Sequence, residues 1–139
     1  MATATATVEL PVRADVVWKL IGGFGSLPDW LPYIPKSELS EGGRIRSLAN
    51  PNGEAIVERL IAYDDTDRSY SYAILKAPFP VINYQSTLRV RETHAGKSSQ
   101  VEWSGRFTPN GSTEAEATEL FTGIYTAGLA ALAKQLDTK

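Results

Sequence analysis

The chain has 139 residues, 42% of them hydrophobic and 22% charged, a balance that excludes a disordered polymer and fits one domain over residues 1–139 with a real core. Fourteen basic against sixteen acidic side chains give a net charge of -2, and without a basic block this leaves no footprint for nucleic acid or an anionic membrane. The lack of cysteine removes disulfides, thiolate metal sites and cysteine nucleophiles together.

Met1 to Thr7 has neither the basic start nor the apolar core of a signal peptide, and no apolar run approaches the ~18 residues that span a bilayer. The cytoplasm is the expected compartment, with no stable membrane insertion. Thr3 to Leu10 alternates small, β-branched and apolar residues, so it reads as a first strand stopped by Pro11. Asp15 caps or opens a short helix in which Val16, Val17, Trp18, Leu20 and Ile21 form an apolar stripe, ended by Gly22 and Gly23. Leu27 to Ile34, with Pro28, Pro32, Trp30 and Tyr33, reads as a second short helix or turn anchored on the core.

Strand-like runs follow at Ser37 to Glu41, Arg44 to Ala49, Ala55 to Tyr63, Ser69 to Lys76, Ile82 to Arg91 and Gln100 to Phe107. The turn signals between them, among them Gly42-Gly43, Asn50 to Gly53, Asp64 to Asp67 and Ala95 to Lys97, make successive hairpins and hence an antiparallel sheet. From Thr113 the period changes to that of a helix. Thr113 and Glu116 have capping-box spacing, and Leu120, Phe121, Ile124, Tyr125, Leu129, Leu132 and Leu136 form one face. The class is α+β: a seven-stranded antiparallel sheet, two short helices after the first strand and a long C-terminal helix. A single helix leaves part of a wide concave sheet to be filled by side chains or left as a pocket.

Glu58-Arg59-Leu60, Asp64-Asp65, Asn83-Tyr84-Gln85-Ser86 and the Gly128 to Leu132 helix end, in this order of elements, resemble the START-like superfamily and its bacterial polyketide cyclase/dehydrase and lipid-transport branch. More distantly they are similar to plant abscisic-acid receptors. The resemblance spans nearly the whole chain and implies a helix-grip fold, a curved sheet wrapped around the last helix with a cavity between them. It implies ligand contact from Glu58, Tyr72, Ile74, Tyr84, Ser86, Glu102, Leu120, Ile124 and Gly128. The lysine that grips a carboxylate in the receptors falls at Leu31, which argues against an anionic ligand. Their gate and latch are replaced by Leu48 to Gly53 and Phe79 to Val81, so a hormone-receptor role is not carried over; the loops Leu48 to Gly53 and Ala77 to Val81 are the expected access route.

Read from the residues alone, alternation does not decide whether Glu58 or Arg59 points inward. On the last strand, alternation turns Val101, Trp103 and Phe107 inward and Glu102 and Arg106 outward, whereas the resemblance turns Glu102 inward and leaves Trp103 on the outer face. One histidine, His94, and no cysteine allow neither a histidine metal cluster nor a Ser-His-Asp triad; no metal or cofactor is expected. Three functions remain. The first is binding of a small hydrophobic molecule, a polyketide, lipid or aromatic metabolite. The second is a cofactor-free cyclase or dehydratase with Glu58, Tyr84 and Glu102 as catalytic candidates. The third is a partner-binding module, such as a homodimer formed through Trp103.

Overall fold

Alternation over the first residues produces a strand with two unlike faces: Ala2 and Ala4 point inward and are buried, while Thr3 and Thr5 are exposed. The computed structural model describes residues 2–49 and 52–137. Its elements are β1 (Ala2–Leu10), α1 (Ala14–Ile21), α2 (Leu27–Trp30), β2 (Lys36–Ser40), β3 (Ile45–Ala49), β4 (Ala55–Asp64), β5 (Ser69–Lys76), β6 (Val81–Thr93), β7 (Ser98–Pro109) and α3 (Glu114–Asp137). The strands form one curved antiparallel sheet in the order β1-β7-β6-β5-β4-β3-β2. Asn50 and Pro51, part of the expected β3–β4 turn, lie outside the described residues.

Local chemistry accounts for most element ends. Helix α2 is one turn rather than a helix to Ile34: Leu31 precedes Pro32, which disfavours helical backbone, and adopts an extended conformation (φ -108°, ψ 107°). Asp15 sits inside the first turn of α1 instead of capping it; Arg13 holds the cap position without a side-chain bond, and the two side chains pair at 3.4 Å on the surface. The capping box of α3 forms as its spacing predicts. The Thr113 amide donates to Glu116 at 2.8 Å, and the Glu116 amide donates to Thr113 Oγ1 at 3.1 Å. Asp64 and Asp65 serve a turn. Asp64 Oδ1 accepts from the amides of Thr66 and Asp67, and Asp65 accepts the Trp18 indole N–H at 2.7 Å, tying α1 to the β4–β5 turn.

Helix α3 buries Ala117, Phe121, Tyr125, Leu129, Leu132 and Leu136 and packs chiefly on β1 and β7, where the inward alanines of β1 let it lie close. Leu120, expected on that face, is 36% exposed because it is offset by one residue from the buried stripe. With the helix over one flank of the sheet, the concave face of β3 to β6 is only partly covered.

The two glycines of α3 meet opposite surroundings. A Cβ on Gly123 would touch nothing within 4 Å, whereas one on Gly128 would lie 2.7 Å from both Trp103 Cζ3 and Tyr33 Oη. Gly123→Ala should therefore stabilise the protein by up to about 1 kcal/mol through helix propensity. Gly128→Ala gains the same propensity but overpacks a rigid site, a cost of about 1–3 kcal/mol. Urea unfolding of the two variants should give shifts of opposite sign.

Candidate ligand cavity

The uncovered part of the concave face is a cavity of about 210 Å³. Strand register determines which side chains reach it. In the β3–β4 hairpin, positions symmetric about Asn52 face each other, so Arg46 pairs with Glu58 and Leu48 with Ile56, all on the inner face. The β4–β5 pairing then slips: Val57 faces Lys76 but Glu58 faces Ile74, which makes Leu75 the extra residue of a bulge, 57% exposed. The slip keeps Ile74 on the cavity side with Glu58.

A bulge also lies in β6 between Ile82 and Gln85. Asn83 there has φ 55°, a left-handed conformation that asparagine tolerates better than most residues. The bulge aims Tyr84 into the cavity and begins the inward series Ser86, Leu88 and Val90. Strand β7 contributes Trp103 and then Gly105, where any Cβ would collide with Tyr125 Oη. Glycine inside a strand marks a close approach, and here it makes room for the Tyr125 hydroxyl.

Most of the cavity lining is apolar, formed by Leu27, Leu31, Ile34, Leu48, Ile56, Phe79, Phe121 and Ile124. Arg46, Glu58 and the tyrosines supply the polar groups. Arg46 is 1% exposed; its Nε donates to Glu58 Oε1 at 2.7 Å, and Nη1 donates to the Phe24 carbonyl at 3.0 Å and Tyr70 Oη at 3.2 Å. The guanidinium also sits over the rings of Phe24 (4.2 Å) and Tyr72 (4.6 Å). Burial pushes the Glu58 carboxyl above its ordinary value, and Arg46 opposes that rise. Burial also works against the Arg46 charge, but Tyr70, Glu58 and Tyr72 outweigh it and hold the guanidinium protonated.

Beyond the ion pair lies a run of hydroxyls. The Trp103 indole N–H donates to Ser86 Oγ at 3.1 Å and Tyr72 Oη at 3.2 Å, Ser86 donates to the Ser104 carbonyl at 2.7 Å, and the hydroxyls of Tyr84 and Tyr125 bond each other. Burial raises all three tyrosines, Tyr125 to about 12. Each is therefore a neutral donor at ordinary pH.

Of the residues singled out in the sequence, Glu58, Tyr72, Ile74, Tyr84 and Ile124 line the cavity. Ser86 lies behind the wall, 1% exposed, holding Trp103 and Ser104. Gly128 supports the site from below by seating Trp103, Tyr33 and Leu31. Leu120 faces outward. Glu102 is corrected outright: it lies on the outer face, 3.9 Å from Arg91, because the period of two turns Val101 and Trp103 inward. Arg106 is outside too, near Gln85 at 3.4 Å, and an inward Glu102–Arg106 pair does not form. Trp103, expected on the surface if Glu102 pointed in, is 5% exposed and lines the cavity, so it is not part of an outer surface that a homodimer could use.

Two polar residues escaped the sequence reading. Arg46 alternates with Leu48 on the inner face, and a hairpin centred on Asn52 brings it opposite Glu58; the signal lay in the turn. Tyr125 was legible as helix core, but its bond to Tyr84 depends on Gly105, which no local pattern reveals. One of the two loops expected to give access, the one that carries Phe79 to Val81, is held in place. Phe79 packs edge-on to Phe121 at 5.3 Å, and the Pro80 carbonyl accepts from the Asn110 amide (2.8 Å) and Ser112 Oγ (3.1 Å), which pins that loop to the start of α3.

The sequence model of the family described as polyketide cyclase / dehydrase and lipid transport matches residues 1–137. A search among curated proteins found no match. Among solved structures, XoxI from Bacillus cereus is 54% identical, with 98% of this chain and 96% of that chain covered at a TM-score of 0.95. An uncharacterized protein from Bacillus thuringiensis is 53% identical, with 97% and 98% covered at a TM-score of 0.95. A START superfamily protein from Mycobacterium smegmatis, 12% identical and covered over 99% of both chains, has a TM-score of 0.79 and shows a likeness of fold alone. The fold is START-like. Among the described residues, no helix is long and apolar enough to cross a membrane.

Proposed function

The chain belongs to the polyketide cyclase / dehydrase and lipid transport family, and from that premise we propose that it encloses a small, largely apolar molecule of one or two rings in the cavity between sheet and α3. The observation that carries this reading is a cavity of about 210 Å³ lined mostly by apolar side chains, with Arg46, Glu58 and tyrosine hydroxyls among them. Its size sets the ligand class. An apolar cavity of about 150 Å³ takes benzene, and drug-sized ligands occupy about 300–1,000 Å³. A long acyl chain or a four-ring polyketide needs the Phe79 loop to open; a bicyclic aromatic does not.

A second reading, a cyclase or dehydratase, has one observation in its favour: burial raises the Glu58 carboxyl, the direction that suits a general base. Glu58 is however held by Arg46 at 2.7 Å, so this reading requires the substrate to displace that contact. The partner-module reading loses its support with Trp103 inside the cavity.

The test is direct because Trp103 stands in the wall. Titration with a naphthalene-sized probe should change tryptophan fluorescence with saturation and raise the melting temperature. Ile74→Trp, which places a large ring in the cavity, should abolish both responses while the variant stays folded. Absence of saturable binding by any one- or two-ring probe would end this reading.

A further inference from the structure

Three costly features meet at one point of the cavity wall: the left-handed Asn83 that aims Tyr84, the missing side chain at Gly105, and the two buried hydroxyls of Tyr84 and Tyr125. Packing alone does not call for them. A phenylalanine at either position would fill the same space without a hydroxyl to satisfy, and a strand without a bulge or glycine would be more stable.

The distribution of protons says what the arrangement is suited to. Trp103 Nε1 only donates, and it supplies Ser86 and Tyr72. The one carbonyl that the described hydrogen bonds bring to this cluster, that of Ser104, is taken by Ser86. Tyr84 and Tyr125 share a single hydrogen bond, in which one hydroxyl donates and the other keeps its own proton. Tyr72 also interacts with Ser86 and Tyr84, and Tyr125 with Ser86, so these hydroxyls are satisfied chiefly by one another. All three tyrosines line the cavity, and each hydroxyl can turn its proton from a neighbouring hydroxyl toward an acceptor oxygen on a ligand.

We propose that Tyr84 and Tyr125, with Tyr72 beside them, form a recognition site for an acceptor oxygen, and that the ligand is a neutral one- or two-ring carbonyl compound such as a ketone, lactone or quinone. Tyr125 is the residue that gives this specificity its helix-borne half. A neutral ligand fits the rest of the wall, since the Arg46 charge is already matched by Glu58 at 2.7 Å. An anion would meet no unpaired cation there and would face the Glu58 carboxylate. Tyrosines held protonated by burial remain donors throughout the physiological range. The inference rests on the cavity reading above and narrows it to one chemistry.

The experiment compares 1-tetralone with tetralin, two molecules of nearly the same shape that differ by one carbonyl oxygen, by isothermal titration against the intact protein. The expected result is at least a tenfold preference for tetralone. In Tyr84→Phe/Tyr125→Phe that preference should shrink to within about threefold while tetralin affinity is retained, which also shows that the variant is folded. Infrared spectroscopy gives a second readout independent of any variant: the carbonyl stretch of tetralone bound to the unaltered protein should move to lower frequency than in an apolar solvent. Equal affinity for the two probes, or an unshifted stretch, overturns this inference and leaves the cavity reading standing. Binding of neither probe removes the cavity reading and this inference with it.

Discussion

Arg46→Met should lower the unfolding free energy by about 3–5 kcal/mol, the largest loss expected from a single substitution in the cavity wall. The reason is the stranded partner. Glu58 is 6% exposed and its described hydrogen bond runs to Arg46, so removal of the guanidinium leaves a buried carboxylate that must either stay charged without compensation or take up a proton. The variant also gives up the donors to the Phe24 carbonyl and Tyr70 Oη and the stacking over Phe24 and Tyr72. The double variant Arg46→Met/Glu58→Leu should recover most of the loss, because desolvation of both charges is then relieved at once. Urea unfolding of the two singles and the double closes the cycle. A double variant as unstable as the sum of the singles would mean that the pair is not energetically coupled. The cycle also bears on function: if the double variant is stable yet no longer binds the ring-sized probe, the ion pair serves the ligand as well as the fold.

A second large effect is expected in alkali. Burial raises Tyr33, Tyr72, Tyr84 and Tyr125 above the ordinary value of 10.0, Tyr125 to about 12. Above pH 10 the unfolded chain loses phenolic protons that the native chain keeps, so the native state binds more protons and stability falls as pH rises. Each buried tyrosine contributes about 1.4 kcal/mol per pH unit in that window, and the four together roughly 5 kcal/mol between pH of about 10.5 and about 11.5. Well below pH 10 their contribution is constant. Denaturant unfolding across this range should show the steep decline, and Tyr125→Phe should remove about a quarter of the part of the slope due to these four. Near-ultraviolet absorbance supplies the check: these four of the six tyrosines should ionise only as the protein unfolds. A slope unchanged in Tyr125→Phe would show that its hydroxyl is not held from solvent.

The fold was legible because its signals are local. Period-two runs separated by turn residues specify hairpins, and the Thr113–Glu116 box with its following apolar face specifies the helix. The shortened α2 follows from Pro32 acting on Leu31. The site was legible only in part. Tyr72, Ile74 and Tyr84 alternate inward on strands whose polarity is mixed, and the family resemblance broke the tie in favour of Glu58. The same resemblance misled at Glu102, where plain alternation had the orientation right. Motif likeness transfers a residue's place in the order of elements, but the strand's pleat decides its side.

Composition, periodicity and turn chemistry determined a seven-stranded antiparallel sheet, a capped terminal helix and a chain without cysteine chemistry or a basic surface, since each depends on residues within a few positions of one another. Tertiary structure decided what the inward side chains meet: Trp103 lines a cavity, Ile74 joins Glu58 there, and Tyr84 meets Tyr125 over Gly105. The placement of Ile74 and Tyr84 turns on register slips of one residue in β5 and β6, and the Tyr84–Tyr125 contact on where α3 comes to rest across β1 and β7. A one-residue slip reverses which face a side chain occupies, and the energy that selects it is spread over contacts between segments far apart in the chain.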